Sequence, residues 1–243
     1  MNSRTQDASI TIGMVLYPGV TLLDVAGPYE VFARLPGVHV ALWAASLDPI
    51  RTEQGMNIVP DTRFDETVFD VLFVPGGPGQ TEVIEDERFL GAIRRYGEAA
   101  QWVTSVCTGS LLLAAAGLLR GRRATTHWLS LDLLERLGVQ TVRDRVVIDG
   151  NRITAAGVSA GIDLALVVAA RLLGEEVAKE IQLLIEYDPK PMFRGGSVQT
   201  ADPYTVERVT SQRRALQERR RAQIERIAAR LVDYDPLGNS GST

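Results

Sequence analysis

The chain has 243 residues, a formal net charge of −4 and a hydrophobic content of 45%. This length allows one large hydrophobic core, so we expect one folded domain. The negative net charge argues against nucleic acid as a main partner. No apolar run reaches the roughly 18 residues that a membrane-spanning helix needs, and residues 1–9 lack the pattern of a signal peptide. We therefore expect a cytoplasmic protein with no membrane partner.

The chain contains a single cysteine, Cys107, and two histidines, His39 and His127. One cysteine cannot form a disulfide within the chain, and the sequence has no cluster of cysteine and histidine residues with the spacing of a zinc site. We therefore expect neither a metal nor another cofactor. His39 lies within a predicted strand, where we expect it at an edge or at the surface.

Predicted strands alternate with predicted helices along most of the chain. Apolar runs predict strands at 10–16, 38–44, 69–74 and 103–106. Helical spacing of apolar residues predicts helices near 24–34, 87–101, 111–116, 129–137, 162–173 and 175–187. Glycine-containing turns predict hairpins at 50–60, which we expect to be peripheral, and at 146–154. This alternation implies an open, mainly parallel α/β sheet.

Cys107 follows the predicted strand at 103–106 and precedes an Ala/Leu-rich helix. This arrangement predicts a tight strand-to-helix turn, the geometry that exposes the nucleophile in G-x-S-x-G hydrolases. A thiol in such a turn lies over the amino terminus of the helix, which favours the reactive thiolate. The alternative is that the cysteine is a small buried apolar residue. The small neighbours Thr108, Gly109 and Ser110 favour the functional interpretation.

Three further loops follow predicted strands and should lie near Cys107. They contain Asp24, the glycines Gly76 and Gly77 of a PGGPG segment, and the stretch 157–159. Ligands of open α/β sheets bind beyond the carboxyl ends of the strands, so we expect these loops to converge on one crevice. Asp24 is also a candidate N-cap of the first helix, and the two roles are compatible. His127 has either a pocket role or a capping and packing role.

These loops suggest a nucleophilic mechanism. The Cys107 thiolate would attack an electrophilic carbon, while the amides of Gly77 and Thr108 stabilise the developing negative charge. We expect substrate-binding or oxyanion-binding roles for backbone and small side chains of the loops, namely Gly76, Gly77, Gly157, Val158 and Ser159. Val158, Trp128 and Tyr29 are candidates for the apolar lining of the pocket.

The last quarter of the chain differs in composition from the rest. Residues 188–203 are rich in Pro, Gly and Ser and predict a loop, and residues 204–232 have helical apolar spacing with interleaved arginines. A basic helix could bind acidic partners, but packing on the body of the protein or on a second subunit explains it better. We expect residues 1–9 to be disordered and residues 233–243 to be a flexible tail.

Five segments together carry a resemblance to a known superfamily. They are LLDVAGPYEVF at 22–32, PGGPG at 75–79, VCTGS at 106–110, ATTHW at 124–128 and AAGVSAGID at 155–163. On these motifs, residues 10–190 resemble the PfpI/DJ-type superfamily, whose fold is class I glutamine amidotransferase-like. The resemblance implies a flavodoxin-like three-layer sandwich, with a mainly parallel sheet flanked by helices. It also implies a homodimer.

Within this superfamily, Asp24 together with Thr108 directly after the cysteine is similar to the isonitrile hydratases. That likeness implies a lyase that hydrates an isonitrile to the N-substituted formamide, with Cys107 as nucleophile, Asp24 as general acid and base, and Thr108 assisting through hydrogen bonds. The chain lacks the histidine that follows the cysteine in peptidase-type members. It also lacks the late His-x-Glu of amidotransferases.

Two other functions remain open on the sequence alone, and a third is set aside as minor. A glyoxalase or deglycase of the same superfamily would use Cys107 with a carboxylate, usually a glutamate, for which Glu30 is the alternative to Asp24. A non-enzymatic redox sensor would need Cys107 to oxidise reversibly. A transcription regulator is a minor option, because only about 50 residues follow the domain.

Overall fold

The structure is a computed structural model that describes residues 9–64 and 68–233. Eleven strands are present in this part of the chain. They are β1 (Ile10–Val15), β2 (Val38–Ala44), β3 (Ile50–Arg51), β4 (Asn57–Ile58), β5 (Thr62–Arg63), β6 (Val71–Val74), β7 (Trp102–Val106), β8 (Arg123–Ala124), β9 (Gln140–Thr141), β10 (Val146–Asp149) and β11 (Arg152–Ala155). The disorder expected for residues 1–8 and the flexible tail expected for 234–243 lie outside the described residues.

Seven of these strands form one sheet in the order β10-β11-β7-β6-β1-β2-β5. All neighbours in it run parallel except β10 and β11, which form an antiparallel hairpin. The remaining strands pair as β3 with β4 and β8 with β9. The predicted mainly parallel sheet and both predicted hairpins are thus confirmed. Glycines with positive φ turn the two hairpins, Gly55 at 91° and Gly150 at 59°.

Eight α-helices and one short 3₁₀ helix, at Trp128–Ser130, accompany the strands in the described residues. The α-helices are α1 (Leu22–Phe32), α2 (Gln80–Val83), α3 (Glu87–Ala99), α4 (Gly109–Ala115), α5 (Leu131–Arg136), α6 (Ala160–Leu173), α7 (Glu175–Leu184) and α8 (Pro203–Asp233). Helices α1, α6 and α7 pack together, and α3, α4, α5 and α8 form a second group. The helices flank the sheet, which confirms the predicted three-layer arrangement. None of them is long and apolar enough to cross a membrane.

The central strands are buried on both faces because their apolar runs have no polar alternation. β6 is buried at every position, and β7 from Val103 to Val106. Aromatic rings of Trp43, Phe69 and Tyr96 pack edge-on or tilted within one half of the core. The carboxyl ends of β1, β6, β7 and β11 lie side by side because these four strands are parallel neighbours in the sheet.

The first helix begins earlier than its sequence pattern predicts. Thr21 occupies the N-cap position of α1, and Asp24 lies inside the first turn with its side chain fully buried. The prediction that Asp24 could cap the helix is therefore wrong. Pro28 consequently lies in the interior of α1 rather than in its first turn. His39 is exposed on β2, as predicted.

Candidate active site

Cys107 occupies the predicted strand-to-helix turn between β7 and α4. Its φ of 55° is in the left-handed region, which is strained for a residue with a side chain. Backbone and side-chain contacts hold this conformation: the amide of Cys107 donates to the carbonyls of Ala155 and Ala156, and its own carbonyl accepts from the Thr126 hydroxyl at 2.7 Å. Hydrogen bonds therefore fix the direction of the thiol, which lines a cavity of about 440 Å³.

Two glycines allow the turn to pack against the loop after β6. A Cβ atom on Gly109 would lie 2.1 Å from the carbonyl oxygen of Val74. A Cβ atom on Gly76 would lie 2.5 Å from the amide nitrogen of Thr108 and 2.9 Å from Cβ of Cys107. Real Cβ atoms do not approach other atoms this closely, so glycine is required at both positions for steric reasons.

Asp24 extends from α1 to the same place. Its Oδ2 accepts a hydrogen bond of 2.8 Å from the amide of Gly76, whereas Oδ1 is buried and has no hydrogen-bond partner in the described part of the chain. Burial raises the pKa of this carboxyl to about 7, although the Gly76 amide and the Cys107 thiol both act to lower it. Asp24 can therefore both accept and release a proton near neutral pH.

The pKa of the Cys107 thiol is raised, contrary to our expectation that the helix would favour the thiolate. Burial raises it most and the nearby Asp24 carboxylate raises it further, while the Thr108 amide and the charge of Arg220 lower it. The turn is buried beneath the surrounding loops, and desolvation of the sulfur outweighs the effect of the short helix α4. The resting pair therefore holds its shared proton as a thiol beside a carboxyl group that titrates near neutrality.

The glycine amides do not have the free donors that we predicted for an oxyanion site. The amide of Gly76 donates to Asp24, and the amide of Gly77 donates to the Thr108 hydroxyl at 3.1 Å. These bonds orient Asp24 and Thr108 instead. Because the donor of the Gly77 amide is used within the loop in this structure, its charge-stabilising role stays a prediction. The Thr108 amide remains directed at the sulfur.

His127 has both of the roles that its sequence position left open. It lines the cavity, and its Nδ1 accepts from the amide of Leu129 at the start of the 3₁₀ helix. Burial, together with Arg220 and Arg213, lowers its pKa to about 4. A neutral imidazole with such a low pKa is a poor general base at neutral pH, so Asp24 is better suited than His127 to exchange a proton there.

The loop after β11 lies between two cavities. Val158 lines the Cys107 cavity, as do Gly77, Cys107, Thr108 and His127. Gly157 and Ser159 instead line an adjoining cavity of about 490 Å³, which shares Leu23, His127 and Val158 with the first and also includes Trp128. Tyr29 is 38% exposed and lines neither cavity.

The carboxyl-terminal helix contributes to the site, which its sequence pattern did not predict. Four residues on one face of α8 line the Cys107 cavity: Arg213, Leu216, Gln217 and Arg220. These residues are three, one and three positions apart, which is the spacing of one helix face. The spacing is the only sign in the sequence that they act together, and it does not distinguish a face that lines a cavity from a face that packs on the core. Ile224 and Ile227 are buried farther along the helix, and Arg226 forms two hydrogen bonds with Glu85.

The hairpin of β3 and β4, predicted to be peripheral, also reaches the cavity. Glu53 and Gln54 in its turn both line the site. Glu53 accepts from the hydroxyl of Thr21 at 3.0 Å and forms an ion pair with Arg213 at 3.3 Å. The hairpin is therefore wrongly predicted as peripheral, because its turn closes the space between α1 and α8.

Gly76→Ala should impair the site through steric overlap alone, because its backbone is not in the left-handed region. We expect a loss of about 1–3 kcal/mol in unfolding free energy, and activity about 100-fold lower because Cys107 is displaced. The matched control is Gly91→Ala in α3, where the new Cβ meets no atom within 4 Å. Thermal unfolding and activity measurements compare Gly76→Ala with Gly91→Ala. Equal unfolding temperatures and equal activities of the two variants would contradict the steric explanation.

The fold and the site define an α/β protein with its one cysteine in a tight strand-to-helix turn and a buried carboxyl group beside it. Residues 10–171 match the model of the DJ-1/PfpI family, and the chain belongs to this family. The chain is 46% identical over 224 residues to the isonitrile hydratase of Pseudomonas putida, covering 92% of this chain and 98% of that protein.

Two further comparisons bear on the fold and on function. A crystal structure of a THiJ/PfpI family protein from Pseudomonas syringae has a TM-score of 0.87 and 39% identity, covering 89% of this chain and 90% of the other. A glutathione-independent glyoxalase of Caenorhabditis elegans is 27% identical over 143 residues, covering 58% of this chain and 76% of that protein. The family thus includes proteins named for two different reactions.

Proposed function

We propose that this protein is an isonitrile hydratase, a hydro-lyase that converts R–NC and water to the N-substituted formamide. The observation that carries the proposal is the pairing of Cys107 on the elbow with Asp24, whose buried carboxyl has a pKa of about 7. The similarity to the Pseudomonas putida isonitrile hydratase over almost the whole chain supports the substrate class.

The first half of the mechanism adds the S–H group of Cys107 across the isonitrile carbon. The Asp24 carboxylate takes the thiol proton as the sulfur attacks the terminal carbon of R–NC. That carbon is left with a lone pair, and the protonated Asp24 returns the proton to it, forming the C–H bond of the future formyl group. The product of this half is a thioimidate, R–N=CH–S–Cys107, with Asp24 ionised again.

The second half adds water to the thioimidate. The Asp24 carboxylate removes a proton from the water molecule while the water oxygen bonds to the thioimidate carbon. The proton then passes from Asp24 to the imine nitrogen. The tetrahedral intermediate then collapses: the C–S bond breaks, the C=O bond forms, and the hydroxyl proton returns through Asp24 to the sulfur. One water is consumed, and both residues regain their starting protonation states.

The geometry gives less support to the two cysteine-based alternatives. A glyoxalase that relied on Glu30 would need this side chain beside Cys107, but Glu30 is exposed and pairs with Arg34, whereas Asp24 is buried and acts on the pKa of the thiol. A peroxide sensor needs an accessible thiolate, whereas Cys107 is only 6% exposed and burial raises its pKa.

The experiment is product analysis of the purified protein with one alkyl and one aryl isonitrile. We expect the N-formamide to form in proportion to protein concentration, with one ¹⁸O atom incorporated when the water is labelled. Methylglyoxal is assayed in parallel. Conversion of methylglyoxal to lactate without hydration of either isonitrile would overturn the proposal in favour of a glyoxalase.

We also propose that the protein is a cytoplasmic homodimer. Four large apolar side chains, two at the end of α7 and two in the loop that follows it, are strongly exposed in the single chain: Leu183, Leu184, Met192 and Phe193. Burial against a second copy would remove this apolar surface from water. Light scattering should give twice the mass of the chain, and Leu183→Glu with Leu184→Glu should shift it toward the monomer. A wild-type mass of one chain would contradict the dimer.

A further inference from the structure

Arg220 is a buried cation in the wall of the Cys107 cavity, contributed by α8. It is only 5% exposed. Its Nε donates to Oε1 of Gln80 at 3.0 Å, and one of its terminal nitrogens donates to the carbonyl of Gly77 at 3.2 Å. Both partners are neutral, and no carboxylate of the described residues forms an ion pair with this guanidinium. A buried charge without a paired opposite charge is costly, so its retention needs a reason.

The proposed reaction creates an anion, the Cys107 thiolate, in the same cavity. Both residues line the same cavity, and the charge of Arg220 acts on the sulfur in the direction that favours the thiolate. A connected set of bonds also joins them: Arg220 donates to the carbonyl of Gly77, and the amide of Gly77 donates to the hydroxyl of Thr108, the residue after the nucleophile. Two hydrogen bonds therefore hold the Arg220 guanidinium against the Gly77 loop, in the wall of the cavity that Cys107 also lines.

The other charged and titratable groups around the cysteine do not offer the same stabilisation. Asp24 carries negative charge when ionised, His127 is neutral at physiological pH, and Arg213 forms an ion pair with Glu53. Tyr17 is buried, and its hydroxyl donates to the carbonyl of Pro75. Among the described groups facing the site, Arg220 is thus the cation left for an anionic sulfur.

We propose that Arg220 is the counter-ion of the Cys107 thiolate, so that α8 supplies a positioning residue for the nucleophile. Its charge stabilises the anion that forms when Asp24 removes the thiol proton, and this allows a deeply buried cysteine to react. An effect of Arg220 on isonitrile turnover rests on the proposed function, whereas its effect on formation of the thiolate does not. An experiment on the thiol itself therefore separates the two.

The experiment measures the rate at which iodoacetamide, an uncharged reagent, alkylates Cys107 as a function of pH. Arg220→Lys and Arg220→Met both remove the guanidinium that donates to Gln80 and Gly77, and only the lysine variant keeps the positive charge. We expect the lysine variant to alkylate at least about tenfold faster than the methionine variant below the thiol pKa, because a one-unit shift changes the thiolate fraction tenfold. Arg219→Met, at an exposed neighbour paired with Glu82, should match the wild type.

A second variant tests the charge while Arg220 stays in place. Gln80→Glu replaces the amide oxygen that contacts Nε of Arg220 with a carboxylate oxygen. The new ion pair should compensate the charge of the guanidinium with almost no change in the shape of residue 80. We expect alkylation to slow about tenfold, as in Arg220→Met. Profiles of both Arg220→Met and Gln80→Glu that superimpose on the wild type would overturn the proposal. If only Arg220→Met fails to fold, the Gln80→Glu profile alone decides it.

The same variants distinguish this inference from the proposed function. If isonitriles are not hydrated by the wild type but the alkylation profiles shift as expected, the proposed function fails and the role of Arg220 stands. If isonitriles are hydrated but the profiles do not shift, only the role of Arg220 fails. We expect kcat/KM for isonitrile hydration to fall in parallel with the alkylation rate.

Discussion

Cys107→Ala is expected to abolish formation of the N-formamide, with a loss of at least about 1,000-fold in kcat. Both halves of the proposed mechanism pass through the bond between the sulfur and the isonitrile carbon, so no partial pathway remains without the thiol. Cys107→Ser should be almost as inactive, because Asp24 cannot readily deprotonate a hydroxyl group. Formamide is measured by mass spectrometry or NMR under saturating isonitrile.

The control for this prediction is His39→Ala, an exposed change on β2. It should leave activity and thermal unfolding unchanged, while circular dichroism should show that the Cys107 variants are folded. Intact mass spectrometry of the wild type during turnover should reveal an adduct equal to the mass of the isonitrile. More than a tenth of the wild-type activity in Cys107→Ala would rule out covalent catalysis by this residue.

Asp24→Asn is expected to lower kcat/KM by about 100- to 10,000-fold, the range for removing a general acid and base. Asparagine can still accept the hydrogen bond from the Gly76 amide, so the variant removes proton transfer while keeping the shape of the site. In the wild type, kcat/KM should rise with pH up to a plateau above about pH 7, since the free enzyme needs Asp24 ionised to accept the thiol proton. The variant should lack this transition.

Asp24→Asn should raise the stability of the fold although it lowers activity. The folded-state pKa of Asp24, about 7, lies above the ordinary value of 3.8, so its contribution to stability is fully present below pH 3.8. This contribution is lost as the pH rises through 7, because ionisation then places a charge in a buried site. We expect Asp24→Asn to be more stable than the wild type by about 1–3 kcal/mol at pH 8, with a smaller difference at pH 5.

Denaturant unfolding at the two pH values checks this, with Asp61→Asn as a control, since Asp61 is exposed. A variant that is both less active and less stable at pH 8 would show that Asp24 has a structural role instead. A variant that is fully active would remove Asp24 from the mechanism.

The apolar runs and the small residues were sufficient to predict the sheet, both hairpins and the turn at Cys107. A strand buried on both faces needs a continuous apolar run, and a tight turn needs small neighbours, so each leaves a local mark in the sequence. The convergence of Asp24, the PGGPG loop and Cys107 could also be predicted, because parallel strands place their carboxyl ends on one edge.

Protonation states and the distribution of backbone donors could not be predicted in this way. The helix start after Cys107 suggested a thiolate, but the pKa depends on burial by loops that are distant in sequence. The amides of Gly76 and Gly77 were expected to be free, yet side chains of Asp24 and Thr108 use them. Such competition for donors depends on distances of a few tenths of an ångström.

Local patterns and short motifs were enough to predict the main strands and helices along the chain, the turn at Cys107 and the family. That α8 and the turn of the β3–β4 hairpin complete the cavity follows from long-range packing, which leaves no local mark in the sequence. Arg220 has arginine neighbours on both sides in the chain, and periodicity alone does not distinguish it from them. It lies next to the loop of Gly77 because the packing of Ile224 and Ile227 sets the rotation of the helix, which is a long-range effect of the core.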